Sequence, residues 1–463
     1  MTTNRREFFK RTAAAGVLVT VPYVFAKAEK VIPKEDGKQT VAAIGVGGSR
    51  GAFSQGGGIA RRAASLGRII AVCDVDAVHA AEFNASFDNK LAMYSDYRKM
   101  LEREQPHIVT IGTPDHWHVP IAIAAMHAGC DVYCEKPLTL TINEGKRIRD
   151  VVKETGKVFQ VGTQQRSTES PMFKEAIAIV QSGRLGKKVN ATVAIGGTPK
   201  PKEKEPFAAT APPAGLNWDF WLGGAQNSDF SAERRKEFRW FFDYSGGKMT
   251  DWGAHHIDIA QWALGHDHSG PVKVTAKGKF SPIVPDNFDW LAYFAGKVKL
   301  KNGYQTPVKF DIDLEYADGS IIHVCDEMVS KDGKTKRENG ILFEGEDGRI
   351  FVNREKLTGK PYEEMTKADK EKMHAQVVKL YHGKEPTSHM QNFFDCVASR
   401  DTPISDVETH HRTMTACHLC NIALMLGREL KWDPNKEEFI GDEQATMLMS
   451  RPKRDKFSWK ATT

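Results

Sequence analysis

The chain has 463 residues, of which 40% are hydrophobic and 27% charged, a balance typical of a globular protein with one large domain or two ordinary ones. No apolar run approaches the roughly 18 residues that a membrane span needs. The formal net charge is +6, and the first 28 residues hold +4 of it, with five Lys or Arg against one Glu. The remaining +2 is too small for a nucleic-acid-binding surface, so no nucleic-acid partner is expected.

The first 28 residues are typical of an export signal. Arg5 and Arg6 precede an apolar pair and Lys10, an apolar stretch covers residues 13–26, and Ala-Lys-Ala at 26–28 offers a cleavage site. We therefore expect recognition by the twin-arginine export machinery and a periplasmic location. An uncleaved membrane anchor is the alternative.

The next part of the chain alternates short apolar strands with helices. Strands are predicted at 40–45, 68–74, 107–112, 131–135 and 158–162. Helices are predicted at 59–66, 76–86, 96–103, 120–128 and 142–155. This alternation indicates parallel βαβ units and hence an α/β Rossmann domain with a doubly wound sheet.

After residue 168 the pattern changes to many strands with few helices between them. Strands are predicted near 188–195, 272–280, 307–315, 320–325 and 341–352, and helices at 171–182, 254–264, 388–399 and 406–427. This favours an α+β domain with a large, mainly antiparallel open sheet. The predicted organisation is a signal at 1–28, a linker at 29–39, a Rossmann domain at 40–167 and an α+β domain for substrate and oligomer contacts at 168–463.

The seven cysteines form no dense pattern, which argues against a disulfide framework. Cys417 and Cys420 have the spacing of metal ligands, but no second pair completes four ligands. We predict a buried helix face there and no metal site.

A glycine-rich turn follows the first predicted strand. Gly45, Gly47 and Gly48 would let the backbone turn tightly and approach a pyrophosphate at a helix N-terminus. The usual third small residue falls on an arginine, and Gly51 comes one position late. Residues 55–58, Gln-Gly-Gly-Gly, are interpreted as a flexible stretch before the helix. A glycine-rich surface turn without a ligand is the alternative.

Two further strand ends should face the same ligand. Asp74 ends the second strand, where an acid accepts hydrogen bonds from ribose hydroxyls and repels a 2′-phosphate, so NAD is favoured over NADP. A helix cap is the alternative for this residue. The third strand ends in a loop with Thr113, Pro114, His116 and His118, which should flank the nicotinamide.

Three residues carry candidate acid–base chemistry. Lys136 follows the fourth strand and could donate a hydrogen bond to a substrate hydroxyl, although a solvated surface lysine is the alternative. Asp251 and His255 are four positions apart and would share one face of a helix. A neutral imidazole suits removal of a hydroxyl proton near neutral pH, and Asp251 could orient it or bind the substrate. His256 is predicted to be structural.

These motifs occur in a characteristic order: the glycine turn, Thr113-Pro114 with His118, Glu135-Lys136-Pro137, and Asp251 with His255 and Asp258. Over about residues 40–430 the chain resembles the Gfo/Idh/MocA oxidoreductases. The resemblance implies NAD-dependent oxidation or reduction of a sugar, glycoside or polyol hydroxyl by a homo-oligomer, a dimer or tetramer. It assigns catalysis to Lys136, Asp251 and His255.

The resemblance also distributes the binding roles. Cofactor contacts are expected from Gly45, Gly47, Gly48, Asp74, Thr113, Pro114, His116, His118, Glu135 and Gln164, and sugar contacts from Arg166, Arg239 and Trp240. The periplasm holds no free nicotinamide pool, so the cofactor is expected to be tightly bound. An NAD-dependent glycosidase acting by transient oxidation and elimination, and a sugar-binding or regulatory module without catalysis, are the alternatives.

Overall fold

The computed structural model describes residues 37–51, 54–330 and 333–454. The predicted signal and most of the predicted linker lie outside these residues. The first sheet consists of β1 (Thr40–Ile44), β2 (Arg68–Cys73), β3 (Ala92–Tyr94), β4 (Ile108–Ile111), β5 (Asp131–Glu135) and β6 (Phe159–Gly162). All neighbouring strands are parallel, in the order β3-β2-β1-β4-β5-β6. This order confirms the predicted Rossmann sheet.

Helices pack on both faces of this sheet: α1 (Gln55–Leu66), α2 (Ala77–Ala85), α3 (Tyr97–Glu104), α4 (His118–His127) and α5 (Ile142–Thr155). Local sequence sets the ends of α5, since the Thr141 side chain accepts a hydrogen bond from the Glu144 amide and Gly156 ends the helix at φ +62°. Strand β3 was not predicted because three residues are too few to show a periodic pattern.

The second half of the chain builds a nine-stranded sheet. Its strands are β7 (Val189–Ala194), β8 (Lys273–Phe280), β9 (Pro307–Glu315), β10 (Ile321–Cys325), β13 (Gly340–Gly345), β14 (Gly348–Val352), β15 (Leu357–Thr358), β16 (Leu430–Asp433) and β17 (Glu438–Phe439). Two short strands, β11 (Met328–Val329) and β12 (Lys336–Arg337), pair with each other outside this sheet. The order is β15-β14-β13-β7-β10-β9-β8-β16-β17. Only β7 and β10 run parallel, so the sheet is mainly antiparallel, as predicted. The single strand predicted at 341–352 is wrong, because β13 and β14 form a hairpin there.

The helices of this half are α6 (Pro171–Gln181), α7 (Trp218–Leu222), α8 (Ala232–Lys236), α9 (Lys248–Asp251), α10 (Gly253–Leu264), α11 (Trp290–Phe294), α12 (Lys360–Glu363), α13 (Lys367–Leu380), α14 (His389–Ser399), α15 (Val407–Leu426) and α16 (Glu443–Met447). Helix α13 was not predicted because Val377 is its only fully buried residue, so it carries no clear apolar stripe. A capping box between Thr366 and Asp369 begins it.

The nine-stranded sheet buries one face and leaves the other polar. Along β9, Phe310, Ile312 and Leu314 are buried, whereas Asp311 is exposed. The buried face packs against α6, α10 and α15. This alternation is expected of an antiparallel sheet covered on one side.

The last part of the chain returns to the Rossmann sheet. In α14, Met390 and Phe393 pack with Val41 and Tyr133. Residues beyond 388 therefore contribute to both cores, which a division at residue 168 does not capture. This packing joins the two halves through the face of the Rossmann sheet that carries Val41 and Tyr133.

All seven cysteines are free and buried, and Cys417 and Cys420 lie in the core of α15, as predicted. Within the described ranges, no group of three His, Cys, Asp or Glu residues is placed to hold a metal ion. None of the helices in the same ranges has the length and apolarity needed to cross a bilayer.

Candidate active site

The glycine turn is a sharply bent loop between β1 and α1. Gly45 and Gly47 have φ of +73° and +64°, a region that favours glycine. The Asp74 carboxylate accepts hydrogen bonds from the backbone amides of Val46 at 3.0 Å and Gly47 at 3.3 Å. Burial raises the pKa of Asp74, although these bonds and a third from the Asp76 amide oppose the shift. Asp74 therefore holds the turn as well as ending β2.

Gly56 supplies the close approach of helix to strand. A methyl group at Gly56 would overlap the Gly45 carbonyl oxygen and crowd the backbone of Gly112. The interpretation of residues 55–58 as a flexible stretch before the helix is wrong, because α1 already begins at Gln55. Gly56 thus does the packing of the third glycine in a dinucleotide-binding turn, after an insertion in the loop. In the sequence, the run of glycines at 56–58 was the only local indication of this packing role.

Replacing Gly56 with alanine is expected to weaken NAD binding by about tenfold or more, because the added methyl group must push α1 away from the turn that receives the pyrophosphate. Gly58 is the matched control, since a Cβ there meets nothing within 4 Å. Gly58→Ala should stabilise α1 by about 0.5–1 kcal/mol and leave NAD affinity unchanged. Fluorescence titration with NAD and thermal melting measure both effects. Wild-type NAD affinity in a folded Gly56→Ala protein would contradict the assignment.

A cleft with an empty volume of about 990 Å³ runs from the glycine turn to the second half of the chain. Gly45, Asp74 and Thr113 line one side, and Trp221 and Arg239 line the other. The Thr113 hydroxyl is buried and has no hydrogen-bond partner among the described residues. A glycine cradle, apolar walls and an unpaired buried hydroxyl fit a bound dinucleotide.

Glu135 and Gln164 lie at the carboxyl ends of β5 and β6. The Gln164 amide donates hydrogen bonds to Glu135 at 3.0 Å and to the Tyr133 hydroxyl at 3.1 Å. Glu135 also accepts one from the Gln55 side chain at 3.1 Å. Burial raises the pKa of Glu135. These bonds join two strand ends to the start of α1, and the predicted cofactor contacts of Glu135 and Gln164 remain predictions.

The two loop histidines connect segments of the chain. The His118 ring nitrogens lie 2.7 Å from the Pro137 carbonyl oxygen and 2.8 Å from that of Thr113, so this ring joins the loops after β4 and β5. His116 lies 2.9 Å from the Trp221 carbonyl oxygen, and burial lowers its pKa to about 3. His116 faces the aromatic residues of the second half and, unlike Thr113 and Pro114, does not line the cleft.

Lys136 and Asp251 meet across the two halves of the chain. The Lys136 ammonium lies 2.5 Å from the Asp251 carboxylate and also donates to the Asp251 carbonyl oxygen at 3.2 Å. Arg239 lies 3.7 Å from the same carboxylate and lines the cleft, so the pair adjoins the nucleotide site. Burial alone would raise the pKa of Asp251, but the charges of Lys136 and Arg239 outweigh it and lower the pKa to about 2.

His255 is buried one helical turn beyond Asp251. Its Nδ1 has no hydrogen-bond partner among the described residues, and its ring packs on Trp252. Burial, with the charges of Lys136 and Arg354, lowers its pKa well below the ordinary value. The imidazole is therefore neutral near pH 7, which leaves a lone pair to accept a proton.

The helix predicted to carry Asp251 and His255 is interrupted. Helix α9 ends at Asp251 and α10 begins at Gly253. No hydrogen bond joins Asp251 to His255 in the described structure, and the carboxylate binds Lys136 instead. Asp251 was predicted either to orient the histidine or to bind the substrate. In this geometry it does not orient the histidine. His256 lies 3.1 Å from the Asn339 side-chain oxygen, consistent with its predicted structural role.

Arg166 and Trp240 are placed differently from Arg239. Arg166 is 1% exposed and donates to Asp258 at 2.7 and 2.8 Å and to Asp267 at 2.9 Å. It does not line the cleft, and its donors are occupied by this ion-pair network. Trp240 is buried in an aromatic cluster below the site. Of the three predicted sugar contacts, only Arg239 reaches the cleft.

The fold and site define a two-domain, dinucleotide-binding protein in which a lysine–aspartate pair adjoins the nucleotide cleft through Arg239, with a buried neutral histidine one turn beyond Asp251. Lys136, Asp251 and His255 do not themselves line that cleft. Residues 40–163 match the model of an oxidoreductase family with an NAD-binding Rossmann fold. Residues 172–282 and 307–459 match the C-terminal alpha/beta domain of the same family. The chain belongs to the Gfo/Idh/MocA oxidoreductase family, and NAD is the cofactor of its first domain.

The chain is also similar to two named dehydrogenases over part of its length. The chain is 26% identical to the levoglucosan dehydrogenase of Pseudarthrobacter phenanthrenivorans over 62% of this chain and 65% of that protein. It is 30% identical to the D-glucoside 3-dehydrogenase of Escherichia coli over 55% of this chain and 66% of that protein. The chain thus spans about 65% of the length of these relatives.

A solved structure shares the fold. The WlbA dehydrogenase of Bordetella pertussis, determined with NADH and UDP-GlcNAcA, superposes with a TM-score of 0.59 at 16% identity. The match covers 86% of this chain and 98% of that one.

Proposed function

We propose that this protein oxidises a hydroxyl group of a sugar, glycoside or polyol by hydride transfer to NAD. The observation that carries this proposal is the Lys136–Asp251 ion pair, which adjoins the nucleotide cleft through Arg239 and has the neutral His255 nearby. Relatives named for levoglucosan, inositol and glucosides support the substrate class. When bound, NAD supplies the hydride acceptor, and the chain supplies proton transfer and charge stabilisation.

Each of the three residues has a distinct part in this proposal. His255 accepts the hydroxyl proton through its free lone pair. The Lys136 ammonium donates two of its three hydrogen bonds to Asp251. It donates the third to the reacting oxygen, where it stabilises the developing negative charge. Asp251 holds the ammonium in place. Arg239 contributes to binding at the sugar end of the cleft.

We further propose that the cofactor is held tightly and is loaded before export through the twin-arginine pathway. A segment at 214–239 of the second half covers the nucleotide side of the cleft. Arg235 binds Asp76 at 2.6 Å, and Arg50 donates to the Ala214 carbonyl oxygen at 2.9 Å. These contacts must open before a dinucleotide leaves. Asp74 favours NAD over NADP because its charge would repel a 2′-phosphate.

A homo-oligomer is also proposed, joined through the uncovered face of the nine-stranded sheet. That face contains a wide groove in which Met328, Val329, Leu342 and Phe351 lie among charged side chains. Val329 is 50% exposed and adds apolar surface to this groove.

One preparation tests these proposals together. The full chain is expressed, purified from the periplasmic fraction and analysed by native mass spectrometry, where we expect a processed chain, one dinucleotide per subunit and more than one subunit. Chromogenic and methyl glycosides are then added without free NAD. Appearance of NADH absorbance without aglycone release is the expected result. Aglycone release with no net NADH would favour the glycosidase mechanism, and neither response to any sugar would contradict the oxidoreductase proposal.

A further inference from the structure

Two cations beside the active site form no ion pair with any residue that the structure describes. Lys248 begins α9, is half-buried, and places its ammonium 5.7 Å from the centre of the Trp240 ring. Arg354 follows β14 and stacks on Trp252 at 4.7 Å, with a 3.4 Å hydrogen bond to the Gln165 side chain. Neither forms an ion pair in the part of the chain that the structure describes.

Both cations border the catalytic groups. Trp252, on which Arg354 stacks, also packs its ring against His255 with centroids 5.8 Å apart. Lys248 lies one helical turn before Asp251 and acts electrostatically on it, on Lys136 and on Arg239. Asp251 interacts electrostatically with four cations, Lys136, Arg239, Lys248 and Arg354. The buried carboxyl groups of Asp115 and Glu135 also act on Lys136, and Asp115 acts on Arg239, so Lys248 and Arg354 are the two cations that these further acids leave out.

Among the described residues, no carboxylate lies within ion-pair distance of Lys248 or Arg354. Asp251 binds Lys136 at 2.5 Å, and after Asp251 the acid that acts most strongly on Lys248 is the exposed Glu338. Burial lowers the pKa of the half-buried Lys248, whereas Arg354 is exposed and stacks on Trp252. A half-buried cation without an anionic partner is costly, and an anionic ligand that reaches both cations would neutralise it.

We propose that the sugar substrate carries a carboxylate, as in a uronic acid or its glycoside, and that Lys248 and Arg354 bind this group. The guanidinium fork of Arg354 matches the two oxygens of a carboxylate, and Lys248 supplies a point charge. The inference rests on the proposed function and narrows its substrate class. A neutral sugar would leave both cations unpaired.

The test compares the methyl glycosides of glucuronic acid and glucose, and those of galacturonic acid and galactose, on the NAD-loaded protein, with an artificial electron acceptor that reoxidises the bound NADH after each turnover. Each pair differs in the carboxylate at C6. We expect kcat/KM for the acidic sugar to exceed that for the neutral sugar by about tenfold or more in at least one pair, with higher salt reducing the ratio. Lys248→Met and Arg354→Met should each lower this preference by about fivefold to tenfold, mainly through KM. Lys356→Met, an exposed lysine two positions beyond Arg354, is the matched control and should leave the preference unchanged.

A preference at or below one would overturn the inference while leaving the oxidoreductase proposal intact. If no sugar of either kind is oxidised, the oxidoreductase proposal fails instead. Equilibrium binding of glucuronate and glucose to the NAD-loaded protein then decides the inference without turnover. Glucose binding as tightly as glucuronate, or glucuronate binding unaffected by both substitutions, would overturn it.

Discussion

Replacing Lys136 with methionine is expected to lower kcat/KM for the sugar by about 10²–10³-fold, the usual loss when one preorganised donor to a developing oxyanion is removed. Two contacts with Asp251, at 2.5 and 3.2 Å, hold the Lys136 ammonium in position. Methionine keeps the length of the side chain and removes its charge and donors. Steady-state kinetics of the NAD-loaded protein, with an artificial electron acceptor that reoxidises the bound NADH, measure the loss. The NAD affinity of the cofactor-stripped protein should remain within about threefold of wild type because Lys136 is expected to act on the sugar.

Loss of the lysine also leaves Asp251 buried without its closest cation, so a folding defect must be separated from a catalytic one. The double variant Lys136→Met with Asp251→Asn removes that unpaired charge and should recover thermal stability but not activity. Lys153→Met, an exposed lysine on α5, is the control for loss of a positive charge. A stable Lys136→Met protein with near wild-type kcat/KM would remove Lys136 from the catalytic residues.

A second large effect is expected from pH on stability. Burial lowers the pKa of His116, His410 and His418 to about 3, and that of His256 and His389 to about 4. In the unfolded chain each histidine has a pKa of about 6.5, so the unfolded state binds more protons as the pH falls. The stabilisation is therefore present above about pH 6.5 and is lost below it, by about 2 kcal/mol per histidine at pH 5.

Denaturant unfolding at about pH 7, 6 and 5 measures this loss. The buried acids Asp74, Asp115 and Glu135 have raised pKa values and act with the opposite sign, which reduces the net change without cancelling five histidines. His418→Gln should make the dependence on pH shallower by about one proton, whereas His374→Gln, on an exposed position of α13, should not change it. Unfolding free energy that stays constant from about pH 7 to pH 5 would contradict the buried neutral histidines.

Local patterns were sufficient for the architecture. Apolar strands alternating with helices over residues 40–162 predicted a parallel sheet because the period of two and the period of 3.6 are properties of neighbouring residues. The antiparallel second sheet was predicted on the same basis. Lys136 was predicted to face the ligand crevice from its position at a strand end, which topology alone places there.

Other features depended on residues that are far apart in the chain. The partner of Lys136 is 115 positions away, and the role of Gly56 depends on how closely α1 approaches Gly45. Arg166 follows a strand in the same way as Lys136, yet Asp258 and Asp267 bind it inside the core. Sequence position could not distinguish these two cations.

The sequence by itself determined the fold class, the glycine turn and the identity of the reactive side chains, because spacing along the chain encodes secondary structure and strand ends. Only the tertiary structure decided which of those side chains share the cleft and which are neutralised in the core. It also decided that Lys248 and Arg354 form no ion pair with the residues described around Asp251. Charge pairing and burial depend on how the two halves pack, and no local period records that packing.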